Sequence, residues 1–280
     1  MKLHTIDTGL FKLDGGAMHG VVPKSIWNKF NPADDNNLCT WAMRSLLIES
    51  GKRLILIDTG CGTKQDAKFF SYYFLHGDGE LHSSLNKLGF SADDITDVVL
   101  THMHFDHVGG ATSWNSDKSK AIPTFKNATY WSKEAHWDWA INPNPREKAS
   151  FLKENFMPIK ESGQLKFIKN DSDFGLQDMT FNTVNGHTEA MLIPIINYKD
   201  RKVAFMADLI PSVGHLPLAY VQSYDVRPLE SMKEKEAFLK HAIEENYVLF
   251  YEHDAKNECS TLINTEKGVR QGDIFKLKEW

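Results

Sequence analysis

Residues 101–110 read THMHFDHVGG, placing His102, His104, Asp106 and His107 within six positions. Imidazole and carboxylate at this density form a donor set for divalent cations, since His nitrogen and Asp oxygen suit zinc and its neighbours. The bland alternative is a polar loop that happens to be rich in histidine. Three further residues weigh against it, each ending an apolar run: His187 in FNTVNGHTE, Asp208 in KVAFMAD and His253 in VLFYEHD. A His or Asp at the end of a buried strand is costly unless it is hydrogen-bonded or bound to something. Strand ends converge along the rim of a sheet, so folding could draw these groups together.

The elements that must position them read as follows. MRSLLIES and RLILIDTG are β-rich runs around Gly51-Lys52, which predicts a hairpin. From 63 to 90 the pattern turns aromatic and helical, and SADDITDVVLTH then predicts a capped turn and a short buried strand. From 114 to 160 lies a Trp-rich stretch with helices broken at Pro143 and Pro145. FNTVNGH, MLIPIINY and KVAFMAD return to strands, the last two joined by a turn at Lys199-Asp200-Arg201. LESMKEKEAFLKHAIEEN predicts an amphipathic helix with Met232, Leu239, Ala242 and Ile243 on one face, running into the strand YVLFYEH. There is no internal repeat and no linker. The pattern predicts one domain over 1–280, with insertions at about 63–90 and 114–160, and sheets with helices packed outside.

Composition narrows the partners. A net charge of −5 is a poor match for a nucleic-acid surface, which normally carries a basic field. Cys39, Cys61 and Cys259 form no C-x-x-C pair, so neither a disulfide framework nor a zinc ribbon is indicated. The N-terminus lacks an apolar signal-like segment, and no run reaches the length of a membrane span. The expectation is a cytoplasmic protein with no membrane partner.

H-x-H-x-D-H before a Gly pair, then a distant G-H-T, a strand-end A-D and a final strand-end His, resembles the metallo-β-lactamase superfamily. The resemblance runs from ILIDTG to FYEHD. It implies an α+β fold, the αββα four-layer sandwich with two mixed β-sheets flanked by helices, and two metal ions per chain. His102, His104 and His187 would hold the first; Asp106, His107 and His253 the second; Asp208 would bridge both. Asp58, in LILIDTG, matches a position that orients a metal-bound imidazole; the other reading is a turn-capping Asp before Gly60. Zinc is the expected metal, with iron, manganese or cobalt also suited to these donors.

Two cations roughly 3.5–4 Å apart can share a water and lower its pKa from 15.7 toward about 7, so a bridging hydroxide serves as nucleophile. Asp106 is placed to carry the proton to the leaving oxygen. Secreted β-lactamases would need an export signal, glyoxalase II-type thioesterases a helical domain after the last ligand, and flavodiiron proteins a Glu in the first motif. The remaining resemblance is to N-acyl-homoserine lactone lactonases, the quorum-quenching group, and to methyl parathion hydrolase-like enzymes. FKLDGGAMHGVVPKSIW and ADLIPSVGHLPLAYVQSYD carry it. It implies opening of a lactone ring. The alternatives are hydrolysis of an organophosphate triester or an aryl or carboxylic ester on the same site, or a non-catalytic lactone-binding protein.

One departure stands out. Lactonases carry a Tyr a few residues past the bridging Asp, where this chain has Leu209-Ile210-Pro211. His215, Tyr220 and Tyr224 are the candidates to replace it, His215 as a catalytic residue. Met18, His19 and Trp27, with Phe70, Phe74, Trp137 and Trp139, are candidates for an apolar acyl groove. They could equally close small cores under loops or form a homodimer interface.

Overall fold

The computed structural model describes residues 1–280. They fall into two compact units, one comprising Met1–Leu10 and Met43–Gly175, the other Phe11–Ala42 and Leu176–Trp280. The strands form two six-stranded mixed sheets.

In the first, strands β1 (Lys2–Asp14), β2 (Leu38–Ser50), β3 (Arg53–Ile57) and β4 (Asp97–Val99) are followed by a small hairpin of β5 (Thr112–Trp114) and β6 (Ala121–Pro123). Strands β7 (Thr129–Ser132) and β8 (Leu165–Phe167) complete the sheet, whose order is β1-β2-β3-β4-β7-β8. The expected hairpin is present: β2 pairs antiparallel with β3, Ser50 opposite Arg53, and Gly51 takes the left-handed conformation that the two-residue turn requires. Strands β3, β4, β7 and β8 run parallel. Parallel strands must be covered on both faces, which explains the unbroken apolar runs: Ile55, Leu56, Ile57, Val98 and Val99 are fully buried. Part of the cover comes from the helices Leu81–Lys87, Glu134–Ile141 and Lys153–Glu161, which contribute Leu85, Trp137, Ala140, Phe156 and Ile159 to one apolar cluster. The helix break expected at Pro143 and Pro145 falls between the last two helices. A capping box of Ser91 and Asp94 starts the predicted turn before β4.

The second unit contains β9 (Met179–Val184), β10 (Met191–Tyr198), β11 (Arg201–Phe205), β12 (Val248–Phe250), β13 (Cys259–Thr265) and β14 (Gly268–Phe275). They pair in the order β14-β13-β12-β11-β10-β9, antiparallel except for β11 with β12. The helix Pro228–Glu244 is the crossover that parallel pairing demands. Its buried face is Ser231, Lys235, Phe238, Leu239 and Ala242, rotated from the expected Met232 and Ile243. A lysine can occupy that face because its ammonium donates to the carbonyls of His215, Pro217 and Tyr220 at 3.0, 3.1 and 2.8 Å. All three cysteines are buried and none forms a disulfide. No helix is long and apolar enough to cross a membrane.

The first sheet is pinned by Asp97 at the start of β4. Its carboxylate accepts from Arg53 Nε (2.9 Å) and Nη2 (2.7 Å), from Trp131 Nε1 (2.8 Å) and from Thr96 Oγ1 (2.7 Å), joining β3, β4 and β7. Removing it strands several donors at once, so Asp97→Ala should lower stability by about 3 kcal/mol in urea unfolding. A loss below about 1 kcal/mol would show that water replaces the carboxylate.

Candidate metal centre

In the first unit, strand register decides which polar residues meet. Ile57 of β3 lies opposite Val99 of β4. Asp58 therefore leaves the end of one parallel strand beside the turn Leu100-Thr101-His102 leaving the other. The chain then makes a single helical turn, Phe105–Val108, that raises Asp106 and His107. Gly109 and Gly110 explain the glycine pair. A Cβ on Gly109 would sit 2.1 Å from the Cys61 carbonyl oxygen, and one on Gly110 2.3 Å from that of Thr59. Without side chains they let the 59–62 loop close on the motif.

His102, His104, Asp106 and His107 are all buried. The His102 ring centre lies 3.9 Å from His107 and 4.6 Å from His104. Asp58 accepts from the Thr101 amide (2.8 Å), the Thr101 hydroxyl (2.5 Å) and His107 Nδ1 (3.1 Å). Because the Thr101 hydroxyl spends its one proton on Asp58, it can only accept from His102 Nδ1, 3.1 Å away. His104 donates from Nε2 to Glu147 at 3.4 Å.

The second unit repeats the logic. Phe205 of β11 is opposite Phe250 of the parallel β12, and Asp208 and His253 each follow three residues later. The loop between β9 and β10 opens at the same end of the sheet, because β10 is antiparallel to β11, and it carries His187. Asp208 thus lies between two imidazoles, Oδ2 at 3.0 Å from His187 Nε2 and Oδ1 at 3.0 Å from His253 Nε2. Beyond them, His187 Nδ1 donates to Asp225 (2.9 Å) and His253 Nδ1 to the Ala42 carbonyl (2.7 Å). Burial pulls the His187 pKa down, but Asp208 and Asp225 overcome it and hold the ring at about 10.

These donors fit metal ions. In every one of the five imidazoles, one nitrogen is engaged by a group that fixes the tautomer, and the other faces a second donor atom of its own unit. The facing distances are 3.1 Å (His102 Nε2 to His104 Nδ1), 3.0 Å at each side of Asp208, and 3.8 Å (His107 Nε2 to Asp106 Oδ2). Ligands placed tetrahedrally about 2.0 Å from zinc stand about 3.3 Å from one another. Oxygen and nitrogen donors without sulfur also accommodate iron, manganese or cobalt.

The other expected site residues sit differently. His215 is buried with both ring nitrogens engaged: Nε2 donates to the Met18 carbonyl (2.8 Å) and Nδ1 accepts from Ser212 Oγ (2.7 Å). It stacks on His19 at 4.3 Å, and burial first, then that neighbour, drives its pKa well below the usual imidazole range. A ring held neutral and fully bonded does not support the catalytic role expected for it. Met18, His19 and Trp27 are buried, with His19 stacked on Trp27 at 5.5 Å, so they read as core and not as groove. Tyr220 is half-buried and Tyr224 is 40% exposed. The structure adds Asp225 and Glu147 as carboxylate partners of imidazoles. Each is a lone acidic residue in a loop, and nothing in its local sequence flags it.

Known proteins resemble this chain in part or throughout. The N-acyl homoserine lactonase AiiB of Agrobacterium fabrum is 28% identical over 117 residues, 39% of this chain and 42% of that protein. The chain thus matches about two fifths of the length of that curated relative. A probable metal-dependent hydrolase from Staphylococcus aureus superposes with a TM-score of 0.88 at 26% identity, covering 98% of this chain and 96% of that one. AidC, a dizinc quorum-quenching lactonase in complex with a product, shares the fold, with a TM-score of 0.77 at 22% identity over 96% of this chain and 93% of its own.

A metal ion held by His187 would have to displace its proton, so affinity should climb with pH up to about 10, roughly tenfold per unit for one displaced proton. Competition with a chromogenic chelator at pH 6, 7 and 8 reads this directly, and a flat response would refute it. Six of the seven expected ligands, all but His253, lie within residues 44–243, which match the family described as "Metallo-beta-lactamase superfamily", and the chain belongs to that superfamily.

Proposed function

We propose that the chain is a dinuclear metal-dependent hydrolase that opens the lactone ring of N-acyl-homoserine lactones. His102, His104 and His187 would hold one divalent ion, Asp106, His107 and His253 the other, and Asp208 both. The observation that carries this reading is the Asp208 carboxylate, which presents one oxygen to each of two anchored imidazoles at 3.0 Å. A carboxylate spread in this way is the form a bridging ligand takes. When bound, the ions would supply an activated water and polarise the substrate carbonyl.

The chain's own groups do the rest. Asp58, Asp225 and the Ala42 carbonyl hold His107, His187 and His253 in fixed tautomers. Asp106, buried beside His107, is the group to take a proton from the attacking water and return it to the leaving alkoxide. His215 takes no part in that transfer, because both its nitrogens are committed. Phe69, Tyr73 and Phe105 pack ring on ring at 4.5–5.2 Å next to Asp106 and offer an apolar surface for an acyl chain. Burial, then the Asp106 charge, pushes the Tyr73 phenol up to about 12, so it stays a neutral donor at working pH. That places a phenol near Asp106 in a chain that has Leu209-Ile210-Pro211 where lactonases carry their Tyr.

Purified protein should contain about two divalent ions per chain and open acyl-homoserine lactones. His104→Ala and Asp208→Ala should each lower kcat/KM by at least ~10³-fold, since each removes a ligand to the ion that activates water. A panel of short- and long-chain lactones, an aryl ester and a phosphotriester decides the substrate. A phosphotriester rate far above every lactone rate would move the assignment to organophosphate hydrolysis, and tight lactone binding without turnover would make the protein a binder. Full activity after complete metal removal would sink the metal mechanism itself.

A further inference from the structure

The segment from His136 to Phe151, covering the end of one helix and the loop before the next, holds the motif loop residue by residue. The Met103 amide donates to His136 Nε2 at 2.8 Å, and the Phe105 amide donates to the Ser150 carbonyl at 3.0 Å. Between them the His104 ring packs 4.9 Å from Phe151 and points Nε2 at the Glu147 carboxylate, 3.4 Å away. Glu147 is itself 3% exposed. Its Oε2 accepts from Trp139 Nε1 (2.7 Å) and Asn144 Nδ2 (2.5 Å), which leaves Oε1 turned toward His104. Two neutral donors on one oxygen account for the placement of the carboxylate. They do not account for the imidazole on the other.

We propose that Glu147 is a positioning residue of the metal centre, whose carboxylate keeps the His104 proton on Nε2 and so makes Nδ1 the coordinating atom. This rests on the dinuclear reading above. An ionised carboxylate can only accept, so His104 must be the donor and its other nitrogen must carry the lone pair. That nitrogen, Nδ1, is the atom facing His102 Nε2 at 3.1 Å. His104 is the odd member of the set: His102, His107, His187 and His253 are all held through Nδ1. A flip of its ring would turn the lone pair toward the 142–152 loop and away from His102. Glu147, buried and clamped, opposes that flip. The Trp-rich stretch therefore acts on the motif through the Glu147–His104 bond as well as the two bonds to the Met103 and Phe105 amides, and not only as cover for the apolar core.

The test uses full-length wild type with Glu147→Gln, Glu147→Leu and, as a control on the neighbouring helix Glu134–Ile141, Trp137→Phe. Trp137 packs on Phe156 and has no bond to Glu147. Zn²⁺ is the probe, with its stoichiometry and affinity read by chelator competition and the metal-free proteins compared by thermal melting. Losing such a partner typically weakens a site 10–100-fold. One of the two zinc ions should weaken by that factor in Glu147→Leu and by less in Glu147→Gln, whose amide oxygen still accepts from Nε2. The second ion should be unchanged, and Trp137→Phe should lower the melting temperature without altering either affinity. If Glu147→Leu binds both ions like wild type, or weakens them only as much as Trp137→Phe does, the assignment is wrong while the metal centre stands. If wild type takes up no zinc, the dinuclear reading fails and this one with it.

Discussion

Burying an imidazole or a carboxylate without a partner costs roughly 2–7 kcal/mol for the neutral polar group alone, and more once it is charged. This chain buries five of each in and around its strand-end turns: His102, His104, His107, His187 and His253 with Asp58, Asp106, Asp208, Asp225 and Glu147. The arrangement is the solution to that cost. Each imidazole is tied on one side to a carboxylate, a hydroxyl or a carbonyl, and each tie also sets the tautomer. Rigidity and protonation state therefore come from the same bonds, which is why orientation of the imidazoles needs no separate device.

Delivery of the proposed ligands depends on parallel strand pairing. In a parallel pair both strands end on the same side, so residues that follow matched positions emerge together. Phe205 opposite Phe250 brings out Asp208 and His253, and Ile57 opposite Val99 brings out Asp58 and His102. A one-residue slip would turn every side chain to the other face and separate the pair. The buried apolar faces of both sheets hold the register, so the core and the site are coupled through it.

Parts of this were legible in the linear chain. The H-x-H-x-D-H cluster is contiguous, so its donors could be named without knowing the fold. The hairpin at Gly51-Lys52 and the turn at Lys199-Asp200 show because they need particular backbone conformations. The crossover helix was visible, but its buried face was read from apolar residues alone. Lys235 escaped because its partners are three backbone carbonyls from a distant loop. His215 shows the converse: a histidine near the right place looks catalytic until its two hydrogen bonds are seen.

Residue type and order thus determined the donor chemistry, the lack of sulfur among the candidate donors, the alternation of strands with helices, and the apolar runs that fix register. These are local or periodic properties, and they are carried in the chain itself. Tertiary structure decided which carboxylate serves which imidazole, and hence which ring nitrogen carries the proton. Glu147 meets His104 across 43 residues and Asp225 meets His187 across 38. Such pairings have no period and no motif, because a hydrogen bond needs only two atoms brought within reach, and only the folded backbone brings them there.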